Sequence, residues 1–271
     1  MIPNVLSIAG SDPSGGAGIQ ADIKAISANG AFAMAAVTAL TAQNTIGVSG
    51  IHVVPPDFVA AQIRDVFEDV RVDAVKVGMI ATAEIAQAVA QALAATRTPV
   101  VLDPVMIAKG GTPLLQADAV AVLRECLLPL ARVLTPNLPE AAHLLETETA
   151  TTRDAMAAQG KALLAYGPQA VLIKGGHLDD GHSPDCLVTA DGTTWFDSVR
   201  IAPGNTHGTG CTLSSALAAK LAFGLDLSAA VSAAKTYVST AIAHADALSV
   251  GTGHGPTHHF ATFHTAQGER S

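Results

Sequence analysis

The sequence predicts an α/β fold, and three observations carry that expectation. First, Val5-Leu6-Ser7-Ile8-Ala9 is a short apolar run with the look of a buried strand. The glycine-rich stretch Gly10-Ser11-Asp12-Pro13-Ser14-Gly15-Gly16-Ala17-Gly18 follows it, then Ile19, Ile23 and Ile26 at helical spacing. A strand, a glycine loop and a helix open a βαβ unit. Second, short apolar runs and helix-like stretches go on alternating down the chain. Third, the polar, glycine-spaced turn Asn205-Thr206-His207-Gly208-Thr209-Gly210-Cys211-Thr212 runs straight into an Ala- and Leu-rich stretch.

The elements follow in order. The first helix ends at Asn29-Gly30. Phe32 to Leu40 reads as a strand and Val48 to Val54 as another; with no helix signal between them they suggest a hairpin-like flap. Pro55-Pro56-Asp57 starts a helix whose apolar side is Phe58, Ile63, Val66 and Phe67. Ala74 to Gly78 is a strand, Ala83 to Ala95 a helix, and Val100 to Leu102 a strand ending at Asp103-Pro104. The loop Met106 to Gly111, which includes Lys109 and Gly110, leads to a helix from Ala117 to Cys126. Arg132 to Leu134 is a strand. Asn137 and Glu140 have the spacing of a capping box before the helix Ala141 to Leu145. The helix Arg153 to Tyr166 precedes the strand Val171 to Ile173, which ends in Lys174-Gly175-Gly176-His177. Turns at Gly181 to Pro184 and Asp191-Gly192 bound the strands Cys186 to Thr189 and Thr194 to Val199. Helices Thr212 to Phe223 and Ser228 to Ala247 close the fold. His254, His258 and His259 lie in a tail that reads as polar, with metal binding as the alternative.

With 271 residues the chain sits at the upper end for one domain, and 1–271 is read as one. Hydrophobic residues make up 49% and charged residues 14%, which favours a globular protein with much buried surface. The net charge of −8 and the lack of a Lys/Arg run argue against nucleic acid or an anionic membrane as partner. Three widely spaced cysteines offer neither a disulfide framework nor a zinc site. The start Met-Ile-Pro-Asn carries no secretory pattern and no apolar run reaches spanning length, so the cytoplasm is the expected compartment.

The turn before the last two helices is the main chemical feature. Gly208 and Gly210 free the backbone, and the first N–H groups of a helix have no partner within it, so an anion fits there. A thiol such as Cys211 at a helix N-terminus has its pKa lowered toward neutrality. The same stretch also reads as a glycine turn with a small buried Cys. The Gly-Lys-Ser/Thr phosphate loop is absent. Gly16-Ala17-Gly18-Ile19-Gln20-Ala21 fits a loose dinucleotide pattern, but no acidic residue follows about twenty positions later. Asp12, Asp22 and Gln43 suit ligand hydrogen bonds or loop capping. Asp103 is placed for a ligand or metal, or for capping its turn; Glu140 is placed for Mg²⁺ or for the capping box. Lys174 before two glycines suits a phosphate, or is a solvated loop lysine.

A resemblance now enters on residues. Gly10 to Asp22, Thr38 to Thr45, Lys76-Val77-Gly78-Met79, Asp103-Pro104-Val105-Met106, Thr135 to Ala141, Lys174-Gly175-Gly176-His177 and Thr206 to Cys211 occur in that order, followed by Gly255-Pro256-Thr257-His258-His259. Together they resemble the hydroxymethylpyrimidine/phosphomethylpyrimidine kinases of thiamine biosynthesis, within the ribokinase-like superfamily. The resemblance implies a three-layer sandwich with a mostly parallel sheet, and ATP- and Mg²⁺-dependent phosphorylation of 4-amino-5-hydroxymethyl-2-methylpyrimidine and then of its monophosphate. It implies Gly208, Thr209 and Gly210 on the transferring phosphoryl, Lys174 and Thr209 on the nucleotide, and Asp103 and Glu140 at the metal. Cys211, where many ribokinase-like enzymes have Asp, would face the substrate oxygen. Gly10, Ala17, Asp22, Gln43, Met79 and Val105 would hold the pyrimidine, and a homodimer is expected.

Gln43 also has a chemical argument of its own. An aminopyrimidine presents a ring acceptor beside an NH₂ donor, and a side-chain amide offers the complement in one plane. Competing readings are a pyridoxal-type kinase, a dinucleotide-dependent oxidoreductase, against which the missing ribose acid counts, and a pyrimidine-binding protein without turnover.

Overall fold

The fold is that of a computed structural model, which describes residues 1–107, 111, 114–116, 118–176, 178, 182–201 and 205–263. Lys109, Gly110, Ala117, His177 and Gly181, named above in loops, at a helix start and at a turn, lie outside the described residues.

Strands are short and continuously apolar where both faces are covered. β1 (Asn4–Ala9), β2 (Phe32–Val37), β5 (Ala74–Val77), β6 (Val100–Leu102), β7 (Val133–Leu134) and β8 (Ala170–Lys174) run parallel. β9 (Asp185–Thr189) and β10 (Gly192–Phe196) add antiparallel to β8 at one edge. The order across the sheet is β10-β9-β8-β7-β6-β5-β1-β2. Strand alternation sends side chains to two cores. Leu6, Ile8, Val75, Val77, Leu102 and Leu134 meet helices α2 (Pro56–Asp69), α3 (Ala83–Leu93), α5 (Leu138–Leu145) and α6 (Arg153–Leu164). Val5, Ala74, Val101, Val133 and Leu172 meet α1 (Gly18–Ala28), α7 (Thr209–Ala222) and α8 (Leu227–Ala243) on the other face. This is the expected three-layer sandwich with a mostly parallel sheet. No helix among the described residues is long and apolar enough to cross a membrane.

The element bounds differ from expectation in ways that have causes. The predicted strand Phe32 to Leu40 is two strands. Thr38 is fully buried, and its hydroxyl donates to the Met79 carbonyl at 2.7 Å. There the chain leaves the main sheet, and β3 (Ala39–Gln43) pairs antiparallel with β4 (Val48–Val53) as the flap. Gln43 therefore ends a strand, at a register shift, rather than lying in a loop. The short helix α4 (Ala119–Val122) passes into a π-turn, Leu123–Leu127, and a 3₁₀ turn, Leu128–Leu130. The second edge strand stops at Phe196, short of Val199. α8 ends at Ala243, and Ala245–Ala247 form a separate 3₁₀ turn. α7 begins at Thr209, not Thr212, so the glycine turn is its first turn; Gly208 is the N-cap, with φ of 76°.

Part of the tail is packed rather than solvated. His259 is buried, its ring 3.1 Å from Thr212 Oγ1 on α7, and its carbonyl accepts from the Tyr237 hydroxyl of α8 at 2.8 Å. Burial pushes the His259 ring down to about 4, so it stays neutral at neutral pH.

Candidate active site

Ligands of open α/β sheets sit beyond the carboxyl ends of the strands. Here β1, β5, β6 and β8 deliver Gly10, Gly78, Asp103 and Lys174 to that edge, and the N-termini of α1 and α7 meet over it. The approach is backbone to backbone. A Cβ on Gly208 would stand 1.7 Å from the Gly16 carbonyl oxygen, and one on Gly18 2.4 Å from that of Gly10. Gly18 also has φ of 55°, a conformation that costs an L side chain strain. The Gly16-Ala17-Gly18 pattern thus serves close packing of two loops, with Ala17 as N-cap of α1.

Three groups converge beside the α7 turn. Lys174 Nζ donates to Asp103 Oδ1 at 2.8 Å and lies 3.8 Å from Glu140 Oε2. A Cβ on Gly210 would come within 3.2 Å of that nitrogen and 3.6 Å of Asp103 Oδ2. Asp103 is steadied by the hydroxyls of Thr135 and Ser214, each at 3.3 Å. Asn137 and Glu140 make a full capping box at α5, so the bland reading of that pair holds; Glu140 still faces Lys174. Burial opposes charge on all three. The neighbouring lysines nonetheless hold the Asp103 carboxyl below its usual range, and the carboxylates hold Lys174 above its own. Glu140 is pushed up to about 7, by burial and by the Asp103 charge, against the pull of Lys174.

Two expected site residues change role. Asp22 is fully buried. Its oxygens take Lys76 Nζ at 2.8 and 2.9 Å, the Ser7 hydroxyl at 2.6 Å and the Ser215 hydroxyl at 2.8 Å. No face of the carboxylate is left for a ligand, so it ties α1 and α7 to the sheet beneath the site. Cys211 is half-buried, but its thiol is not lowered toward neutrality. Desolvation pushes it up to about 11, outweighing Lys76 and a backbone hydrogen bond from Gly18. Desolvation disfavours the thiolate, and here that outweighs what the helix N-terminus offers.

The other residues expected at the pyrimidine fall in two places. Met79 packs with Ala39 and Ala81, and Val105 lies against them. A Cβ at Gly10 would come within 2.7 Å of Met79 Sδ. Gln43 is half-buried at the tip of β3, its amide 3.2 Å from Thr41 Oγ1 and 3.4 Å from His207 Nε2.

Two buried pairs escaped the sequence reading: Lys76 with Asp22, and His207 with Asp12 at 2.8 Å. The first had a signal. Asp22 shares the Ile19 and Ile26 face of its helix, which is buried, while Ile23 is 38% exposed. His207 had none, since its partner lies 195 residues away.

The site is that of a phosphotransferase of the α/β sandwich type: a glycine turn at a helix start, Lys174 and Asp103 at strand ends, and Glu140 in the first turn of α5. Comparison with known proteins agrees. A family model described as phosphomethylpyrimidine kinase matches residues 12–258, and the chain belongs to that family. A hydroxymethylpyrimidine/phosphomethylpyrimidine kinase of Escherichia coli K12 is 55% identical over 258 residues, covering 95% of this chain and 97% of the relative. One from Salmonella typhimurium is 54% identical over the same shares. The crystal structure of phosphomethylpyrimidine kinase from Clostridium difficile 630 superposes with a TM-score of 0.79 at 41% identity, covering 89% of this chain and 99% of that one. A Bacillus subtilis pyridoxal kinase in an ADP complex gives 0.88 at 34% identity, covering 97% and 99%.

Proposed function

We propose that the chain transfers the γ-phosphoryl group of ATP to the hydroxymethyl oxygen of 4-amino-5-hydroxymethyl-2-methylpyrimidine, and then phosphorylates the monophosphate to the diphosphate, in thiamine biosynthesis. The observation that carries this is the convergence of Lys174, Asp103 and Glu140 on the Gly208–Gly210 turn. Phosphoryl transfer needs positioning and charge stabilisation more than covalent chemistry. The turn offers N–H groups that are already aimed, and Lys174 adds a fixed cation. Cys211 faces the attacking oxygen; burial keeps most of its thiol protonated at neutral pH, and only the thiolate fraction can take the proton that the hydroxyl releases.

Mg²⁺ fits the donor set. Asp103 and Glu140 are oxygen donors with more negative charge than Lys174 alone offsets, which adds to burial in raising Glu140, and Mg²⁺ takes one or two carboxylates plus phosphate and water. Bound there, directly or through water, it would neutralise phosphate charge.

The pyridoxal-kinase alternative shares the fold; the higher identity to the pyrimidine kinases favours the pyrimidine. We also read 1–271 as one domain and the protein as a homodimer. Leu40, Ile51 and Val53 stand exposed on the flap strands and support the dimer; light scattering in solution measures its mass. Three free cysteines suit the reducing cytoplasm. The testing experiment is a coupled ADP-release assay against the hydroxymethylpyrimidine, its monophosphate and pyridoxal. Turnover of both pyrimidines above pyridoxal supports the proposal. Folded protein that turns over neither pyrimidine overturns it.

A further inference from the structure

The Asp12–His207 pair stands next to the Gln43 amide, and its hydrogen bonds have a consequence for substrate choice. Asp12 accepts from Ser14 N at 2.9 Å, Ser14 Oγ at 2.7 Å and Ala17 N at 2.8 Å, besides lying 2.8 Å from His207 Nε2. Three donors of this kind stabilise the ionised form. Although burial opposes it, these contacts and the imidazole hold the carboxyl below its usual range. An ionised carboxylate only accepts, so His207 Nε2 must carry the hydrogen.

That fixes what faces it. In the structure the nitrogen end of the Gln43 amide points to His207 Nε2 at 3.4 Å and the oxygen end to Thr41 Oγ1 at 3.2 Å. Two donors then oppose each other at the imidazole. At the other end one hydroxyl proton must serve both the Gln43 oxygen and the Ser11 carbonyl, which lies 2.9 Å from Thr41 Oγ1. The two ends of a side-chain amide have the same shape, so the network decides between them. Turned over, the amide removes the opposed donors and frees the Thr41 proton for Ser11. Its oxygen accepts from His207 Nε2–H, shared with Asp12. Its NH₂ donates to Thr41 Oγ1, which donates to Ser11.

We propose that Asp12 and His207 lock the Gln43 amide with its oxygen toward the imidazole and its nitrogen toward Thr41, and that this lock makes the site select 4-aminopyrimidines over their 4-oxo counterparts. In the locked amide one N–H and one oxygen lone pair remain uncommitted. A 4-aminopyrimidine presents N3 as acceptor and the 4-amino group as donor. The 4-oxo compound reverses both, with N3–H as donor and O4 as acceptor. A free amide would meet the second ligand by a half-turn about its last bond. A locked one leaves a donor facing a donor and an acceptor facing an acceptor. His207 is thus a positioning residue, held in turn where a Cβ on Gly16 would come within 2.4 Å of its Cδ2.

The inference rests on the pyrimidine reading of the site. The test measures dissociation constants of the full chain for 4-amino-5-hydroxymethyl-2-methylpyrimidine, for its 4-oxo analogue and for ATP, by calorimetry. The wild type is expected to prefer the amino compound at least a hundredfold. His207→Leu should cut that ratio at least tenfold, chiefly by tighter binding of the oxo compound. His207→Gln, which keeps a donor toward Asp12, should restore it. Thr41→Val loosens the other end and should lower the ratio less, which keeps the test open if His207→Leu does not fold. ATP affinity should hold in each. A ratio unchanged in His207→Leu and Thr41→Val, or both pyrimidines weakened equally, overturns the lock. Failure of the wild type to bind either pyrimidine overturns the pyrimidine reading instead, and the lock with it.

Discussion

Two lysine–aspartate pairs lie under the same edge of the sheet, with the same chemistry and opposite fates. Lys76 and Asp22 have no exposed side-chain area, and two hydroxyls complete the carboxylate's shell. Lys174 keeps 15% of its side chain exposed beside the Gly210 backbone, and a second carboxylate waits at 3.8 Å. The sealed pair has nothing left to offer a ligand. The open pair keeps an exposed side against the Gly208–Gly210 turn. Commitment of donors and acceptors, rather than residue type, separates a structural ion pair from a chemical one.

The largest expected effect breaks the sealed pair. Lys76→Met strands Asp22 in the core, and removing one partner of a buried pair typically costs about 3–5 kcal/mol. Urea unfolding should show that loss, and a variant as stable as wild type would dissolve the contrast. Next, Cys211→Ala should lower kcat by about 10²-fold, the low end for a general base, since its raised thiol is seldom deprotonated at neutral pH. Substrate affinity should stay, and wild-type turnover would remove Cys211 from the reaction. Gln43→Leu should weaken the aminopyrimidine by about 1–3 kcal/mol through an unpaired polar edge, leaving ATP unchanged in titration.

The smallest effect at working pH belongs to the tail. The unfolded chain protonates His259 near the ordinary 6.5, the folded one only near about 4. Between these values the unfolded state binds more protons, so stability falls as pH falls through that window. The full difference, roughly 3 kcal/mol, is reached only below it. His259→Gln should flatten the melting temperature between pH 7 and 5 relative to wild type.

Much of this was legible because parallel strands buried on both faces read as unbroken apolar runs, and because helix starts carry local marks such as Pro56 and Asn137. The open pair was legible too: Asp103 and Lys174 end their strands, where ligands bind. What escaped is non-local. Nothing near Thr38 announces that the chain leaves the sheet for the flap. His207 is read from its neighbours as part of a glycine turn, yet its partners come from the first and last segments of the chain. Cys211 was misjudged because helix position is visible in sequence and desolvation is not.

The most direct test of the central claim is Lys174→Met, assayed for ADP release with the hydroxymethylpyrimidine while its melting temperature is followed. Losing one preorganised charge contact at a transition state typically costs about 10²–10³-fold in kcat. The account predicts a loss of that order in a protein that still folds. Wild-type turnover in folded Lys174→Met would contradict it.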